Sequence, residues 1–241
     1  MVINDLVIEV TRRCNMSCDH CLRGEQQNID LDTSYVSKLF DQVNYLRTIT
    51  FTGGEPSLVP HIISKIIDIA KEKNVVIGRF YIVTNAKIVT TEFMEVLLKC
   101  FLYCTEIDDE IKCLSISNDI HHGALEDIQE NVRKLLAFRF AEKRHEEDYY
   151  NYYDENTMIN EGNASLNYGG RPIEPNEVFI QDDYIEDQIY LNCKGNLIPC
   201  CDFSYETQNE SNVIIGNVNE PCFNLQQAIE TYNEQYELCT D

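Results

Sequence analysis

The chain has 241 residues, a length that suits one domain or one domain with a small appendage, and ample for a core without disulfide staples. Nineteen Lys and Arg stand against 41 Asp and Glu, a net charge of −22, which argues against a nucleic-acid partner and favours a basic peptide or protein. With ten Gly, six Pro and no signal-peptide pattern at the start, the sequence is neither low-complexity nor secretory in type. No run approaches the roughly 18 uninterrupted apolar residues of a membrane span.

The first half alternates strand-type and helix-type runs. Residues 5–10 read as a strand, followed by a polar, Cys-rich loop to about residue 30. Apolar residues at Val36, Leu39, Phe40, Val43 and Leu46 predict a helix over 33–46. A second strand is expected over 48–52, and Pro56 opens a helix that runs through Ile62, Ile63, Ile66, Ile67 and Ala70. Strand 79–84, helix 92–103, strand 112–117 and helix 125–140 follow. Four consecutive β-then-α units predict a parallel α/β sheet or barrel with right-handed crossovers. The period then breaks. Residues 142–161 are rich in Tyr and acid and read as a lid-like insertion. Short β-type runs at 178–180, 188–191 and 197–198 come next, with Lys194-Gly195-Asn196 as a hairpin turn, and a helix over 225–236 closes the chain.

Eleven cysteines are the compositional outlier. An odd number without a secretory signal points to a reduced, cytoplasmic setting, in which clustered thiols bind metal more often than each other. Cys14, Cys18 and Cys21 lie on the loop that leaves the first strand. Three thiols, not four, suit an iron–sulfur cubane with one open iron. A zinc site completed by Asp19, His20 or a distant residue is the alternative. After the second strand comes Gly53-Gly54-Glu55-Pro56, whose backbone amides and carbonyls can meet a charged head group at close range. Thr84-Asn85 follows the third strand. Ser115 and Ser117 share one face of the fourth, with Asp119 beyond. Two hydroxyls and a carboxylate suit ribose hydroxyls; strand-end capping is the plainer role for the serines. All four motifs fall at strand carboxyl ends, the rim where parallel α/β folds bind ligands.

These residues together resemble the radical S-adenosylmethionine (radical SAM) superfamily over about residues 5–140. The resemblance implies a partial TIM-type (β/α) barrel, truncated below the family's six units. It implies a four-iron, four-sulfur cluster on Cys14, Cys18 and Cys21, with S-adenosylmethionine chelating the open iron. Gly53, Gly54, Glu55 and Pro56 would hold the methionyl amine. Ser115, Ser117 and Asp119 would lie near the ribose or carboxylate, with Asn85 a further contact. His20 stands where many members carry an aromatic residue, and its imidazole would stack on adenine. Residues 189–201 and 215–218 resemble the SPASM/Twitch extension of peptide-modifying members, a small β-hairpin plus helix. The upstream Cys of that pattern is missing, and Cys200, Cys201, Cys222 and Cys239 are the candidate ligands of a second cluster.

The expected organisation is a core over 1–141, an insertion with remaining barrel elements over 142–175, and the extension over 176–241. The expected function is radical modification of a peptide, with a flavodoxin or ferredoxin as reductant and no leader-binding domain ahead of the first strand. A small substrate such as a nucleotide is the rival enzyme reading, with Arg12, Arg13, Arg23 and Lys87 as its phosphate-facing cations. A non-catalytic iron–sulfur or zinc scaffold is the rival of another class. Cys100, Cys104 and Cys113 read as core; His121 and His122 are substrate-contact candidates on the rim. Gly169-Gly170-Arg171 reads as a turn, and the tyrosines at 149–153 as part of an acidic loop.

Overall fold

The computed structural model describes residues 1–107, 110–117, 122, 128–144 and 159–240, with side chains to residue 236 in the last helix. Five parallel strands run in chain order from the middle of the sheet to one edge: β1 (Val2–Thr11), β2 (Tyr45–Gly53), β3 (Val76–Thr84), β4 (Leu114–Ile116) and β5 (Ala141–Lys143). On the other side of β1 lies β7 (Tyr184–Leu191), also parallel to it. Three short antiparallel strands complete the sheet: β6 (Ile180–Gln181) and β8 (Asn196–Ile198) on β7, and β9 (Gly216–Asn217) on β8. The order β5-β4-β3-β2-β1-β7-β8-β9 leaves two separate edges, so the sheet is an open, partial barrel.

The helices α1 (Thr33–Phe40), α2 (Pro60–Lys73), α3 (Thr91–Tyr103) and α4 (Gln129–Leu135) connect the parallel strands. Helix α5 (Gly162–Asn167) precedes β6, and α6 (Leu225–Thr240) ends the chain. Strand alternation separates two faces. Leu6, Ile8, Ile49, Phe51, Ile82 and Leu114 are buried against the helical layer. In register with each other on the opposite face stand Asp5, Thr48 and Arg79, then Val7, Thr50 and Tyr81. This inner face is largely polar and partly open.

Two predicted helices are too long. The apolar period continues through Val43 and Leu46, but α1 stops at Phe40, because Val43 is buried in a turn and Leu46 already belongs to β2. Likewise α4 ends at Leu135. Phe138 and Phe140 instead stack at 5.0 Å in the turn to β5, and Phe101 stacks on Phe140 at 4.9 Å. That turn leads into a fifth parallel strand, which begins at Ala141 and enters the stretch expected to hold the insertion and the remaining barrel elements: Glu142 pairs in register with Ser115. Residues 145–158, most of the expected lid and its tyrosines, lie outside the described residues. The opening at Pro56 is a 3-10 turn, Pro56–Leu58, before α2 begins at Pro60. Cys100 and Cys113 are fully buried in the main core, as expected. Among the described residues no helix is long and apolar enough to cross a membrane.

Candidate active site

The Cys loop is fixed to the Gly-Gly turn by backbone. Gly54 N donates to Thr11 O at 2.8 Å, and Glu55 N to Arg13 O at 2.9 Å. This approach requires glycine: a Cβ on Gly53 would sit 2.0 Å from Thr11 O, and one on Gly54 2.1 Å from Arg13 O. Those amides are therefore committed within the protein and do not face a head group, as the sequence suggested they could. The carbonyls of Glu55 and Pro56 accept from Leu58 N and Val59 N, both at 3.1 Å, so those of Gly53 and Gly54 are the acceptors of the turn suited to an ammonium. Cys14, Cys18 and Cys21 line one cavity of about 50 Å³ together with Gly53 and Gly54. All three thiols are partly buried. Burial pushes the Cys14 thiol up, and the neighbouring Glu55 and Cys21 add to the shift. Among the described residues, no three Cys, His, Asp or Glu side chains form a ready-made metal cage, here or elsewhere.

Glu55 faces inward. Its Oε1 accepts from Ser57 N at 3.1 Å and Thr84 Oγ1 at 2.7 Å, and its Oε2 from Asn85 N at 2.9 Å. Pro56 is buried behind it at the start of the 3-10 turn. Asn85 continues the chain of contacts, donating Nδ2 to Asn15 Oδ1 at 2.8 Å between the first two cysteines. Three strand-end loops are thus tied to one another. Ser115 is fully buried on the inner face, accepting from the Tyr81 hydroxyl at 3.0 Å and donating to Glu142 Oε1 at 3.1 Å. Ser117, nearer the rim, is joined to β3 through its amide and Thr84 O at 2.9 Å. His20 lies edge-on to His122, ring centres 5.3 Å apart. Asp119 and His121 lie outside the described residues.

Two parts of the site are not evident from motif spacing. The first is α5. Asn163 donates its amide N to Cys21 O at 2.9 Å and its Nδ2 to Cys18 O at 3.1 Å, and Asn167 Nδ2 reaches Asp19 O at 3.0 Å. The two asparagines four apart on one helix face are the sequence signal for this clamp.

The second is a buried polar network joining the loop to the carboxyl-terminal hairpin. Arg12 pairs with Glu9 at 2.7 Å, both fully buried, and donates to Gln208 Oε1 at 2.7 Å. The Tyr190 hydroxyl donates to Glu9 Oε2 at 2.7 Å. Burial holds that phenol well above its ordinary range. Arg23 lies over the Tyr190 ring at 4.9 Å and donates to Phe203 O at 2.6 Å. Arg13 pairs with Asp30 at 2.8 Å. Three of the four cations named for a phosphate therefore have partners within the protein.

The carboxyl-terminal thiols are dispersed. Cys193 is buried against Glu9, donating Sγ to its carbonyl at 3.2 Å. Cys200 and Cys201 pack beside Tyr190 and Phe203, and burial, with Asp202 next, pushes Cys201 up to about 12. Cys222 is exposed, at a φ of 61°. The Cys239 side chain is outside the described residues.

Residues 8–140, more than half of the chain, match the sequence model of the radical SAM superfamily. The chain belongs to this superfamily.

Solved structures share its fold. The structure of anSMEcpe with bound AdoMet superposes with a TM-score of 0.61 at 13% identity, over 98% of this chain and 82% of that one. BtrN in an open conformation gives 0.52 at 15% identity, over 98% and 85%. At these identities the likeness shows the fold alone. Among curated proteins, the uncharacterized protein MJ0907 of Methanocaldococcus jannaschii is 34% identical over 97 residues, 37% of this chain and 33% of that protein. The match thus spans about a third of that relative's length. Membership implies a four-iron, four-sulfur cluster and S-adenosylmethionine. The donor set fits: three soft thiols line one cavity, with no fourth thiol lining it among the described residues, beside a turn whose carbonyls can accept from an amine.

Proposed function

We propose that this chain is an enzyme that uses S-adenosylmethionine at a cluster held by Cys14, Cys18 and Cys21 to modify a peptide. The observation that carries the reading is the convergence of the three thiols and the Gly53-Gly54 turn on one cavity at the strand carboxyl ends. When bound, the cluster and S-adenosylmethionine supply reductive cleavage and hydrogen-atom abstraction. The chain's own residues bind and orient. The carbonyls at Gly53 and Gly54 would hold the amine, Glu55 and Pro56 fix that turn, and Asn85 and Ser117 would stand at the ribose side, to which the sequence alone assigns Asp119. His20 is the residue suited to stack on adenine. Ser115 sits deeper, with Tyr81 and Glu142, and shapes the substrate end of the polar inner face.

The peptide assignment is supported by the −22 net charge and by the internal engagement of Arg12, Arg13 and Arg23, which leaves few cations for an anionic nucleotide. The structural neighbour anSMEcpe is also known with AdoMet and a Cp18Cys peptide bound. A flavodoxin- or ferredoxin-type reductant and a reduced, cytoplasmic setting belong to this reading. We assign no second cluster to Cys200, Cys201, Cys222 and Cys239.

The test is anaerobic reconstitution with iron and sulfide, then reduction in the presence of S-adenosylmethionine. The expected result is an oxygen-sensitive cluster absorbance and formation of 5′-deoxyadenosine. Both should be lost in the Cys14→Ala/Cys18→Ala/Cys21→Ala variant. Stoichiometric zinc without 5′-deoxyadenosine would overturn the assignment.

A further inference from the structure

Tyr205, in the carboxyl-terminal segment, lines the cavity of the three thiols. Backbone fixes it to the cysteine loop: its N donates to Arg23 O at 3.0 Å, two residues past Cys21. Its flanks are pinned by one carboxylate. Glu161 Oε2, just ahead of α5, accepts from Ser204 N and from Thr207 Oγ1, both at 2.9 Å. The Arg12 guanidinium covers one face of the ring, 4.4 Å from its centre. The residue is 3% exposed, yet its hydroxyl has no hydrogen-bond partner among the described residues. Folded proteins seldom leave a buried hydroxyl unpaired, because it loses water and gains nothing in return. Tyr190, in the same network, shows the ordinary arrangement, with its hydroxyl on Glu9 Oε2 at 2.7 Å. Glu9 does not serve Tyr205 as well: its carboxylate accepts from Arg12 Nε, Cys193 N and Tyr190. Burial, then the charge of Glu9 and that of Cys21, raise the Tyr205 phenol above its ordinary range. The proton therefore stays on the oxygen, and Cys21 is within electrostatic reach of it. A thiol sulfur is a weak acceptor, but iron binds the thiolate, whose sulfur is a far better one.

We infer that the Tyr205 hydroxyl donates a hydrogen bond to the Cys21 sulfur when that residue holds iron, making Tyr205 a positioning residue for the cluster. The inference rests on the cluster assignment above. It gives the carboxyl-terminal segment a part in reduction without supplying a ligand. Hydrogen bonds to the sulfurs help to set a cluster's potential, and a donor favours the more electron-rich, reduced state.

The role predicts opposite effects in the empty and the loaded protein. Tyr205→Phe removes the hydroxyl and keeps the ring under Arg12. Without metal the variant is expected to melt at or above the wild-type temperature, because an unpartnered buried polar group is gone. Loaded with iron and sulfide, it should have a more negative midpoint potential by EPR-monitored titration and lose iron to a chelator several-fold faster. It should also lack one exchangeable-proton coupling that ENDOR detects in the reduced wild-type protein. Tyr190→Phe is the comparison: it removes a partnered hydroxyl, so it should lower the metal-free melting temperature and keep that coupling. Equal midpoints and equal proton couplings in wild type and Tyr205→Phe would overturn the inference. So would equal midpoint shifts in both Phe variants with the coupling retained, because the network rather than one hydroxyl would then set the potential. A Tyr205→Phe variant that melts below wild type without metal would give the hydroxyl a structural partner and equally end the inference. A wild-type protein that binds no iron removes the cluster assignment itself, an outcome distinct from these.

Discussion

Asn163 donates its side-chain amide to the carbonyl of Cys18 at 3.1 Å, across 145 residues of sequence. The preceding Gly162, at a φ of 53°, lies so close to the loop that a Cβ there would be 2.4 Å from Gly24 N and 2.7 Å from Cys21 O. The short helix is therefore a backbone lock on the cysteine loop, and its sequence is set by that contact.

Gly162→Ala should break the lock. The strained backbone conformation costs on the order of 1–3 kcal/mol, and relief of the overlap moves the loop. Asn163→Ala removes only the side-chain bond to Cys18, costing about 1 kcal/mol. Iron bound after reconstitution should fall in the order wild type, Asn163→Ala, Gly162→Ala, and protease cleavage within residues 14–24 should rise in the same order. Equal iron content in all three would show that the loop does not need α5.

Glu55 gives a second test, because its carboxylate accepts three hydrogen bonds inside the protein. Gln at this position has one acceptor oxygen and an NH2 group that faces other donors. The mismatch should lower unfolding free energy on the order of 1–3 kcal/mol, read from urea denaturation of the metal-free protein. A variant with wild-type stability but weakened S-adenosylmethionine binding would place Glu55 at the cofactor instead.

The contrast between Glu55 and Glu9 shows what local pattern can convey. Strands β1 to β4 were legible because each is a β-rich run followed by a helical period, and the rim motifs follow directly from their ends. Strand β5 has three residues after an aromatic turn, and no period can be read over three residues. The partners of Glu9 and Arg12 are Tyr190 and Gln208, more than 180 residues away, and no spacing rule joins them. Arg12 and Arg23 look like surface cations in sequence, because burial of a charge is decided by a partner that only the fold supplies. The glycines of the turn were legible as a close approach, but not what approaches: it is the protein's own loop, at Thr11 and Arg13.

Asp5, on the inner face, should make stability depend on pH. Burial raises its carboxyl above the ordinary 3.8, opposed by hydrogen bonds from Gln188 and Thr50 and by the charge of Arg79. A carboxyl raised by folding binds protons more tightly in the folded state. Its contribution thus favours the fold at pH below the ordinary value and is lost as pH rises through the raised one. Asp5→Asn, which keeps an acceptor for Gln188, should raise the urea midpoint at neutral pH and match wild type below pH 3.8. A lower midpoint at neutral pH would mean that the charged carboxylate and its partners outweigh its desolvation.

The peptide reading makes a prediction about salt. At −22 the surface attracts a basic chain over distances comparable to the Debye length, about 10 Å at 0.1 M salt. Association of a Lys/Arg-rich peptide should therefore slow on the order of tenfold between low and high salt, with the dissociation rate changing less. On this reading the contacts made after docking would lie on the polar inner face, where Tyr81, Ser115 and Glu142 are joined by hydrogen bonds. A nucleotide would behave in the opposite sense, since salt weakens its repulsion from an acidic rim. With Arg12, Arg13 and Arg23 engaged within the protein, few cations are left on the rim to reverse that repulsion. Stopped-flow binding of a labelled basic peptide and of ATP at two salt concentrations distinguishes the two. Saturable ATP binding without any peptide binding would transfer the substrate assignment to nucleotides, while leaving the superfamily membership and its thiol loop as they stand.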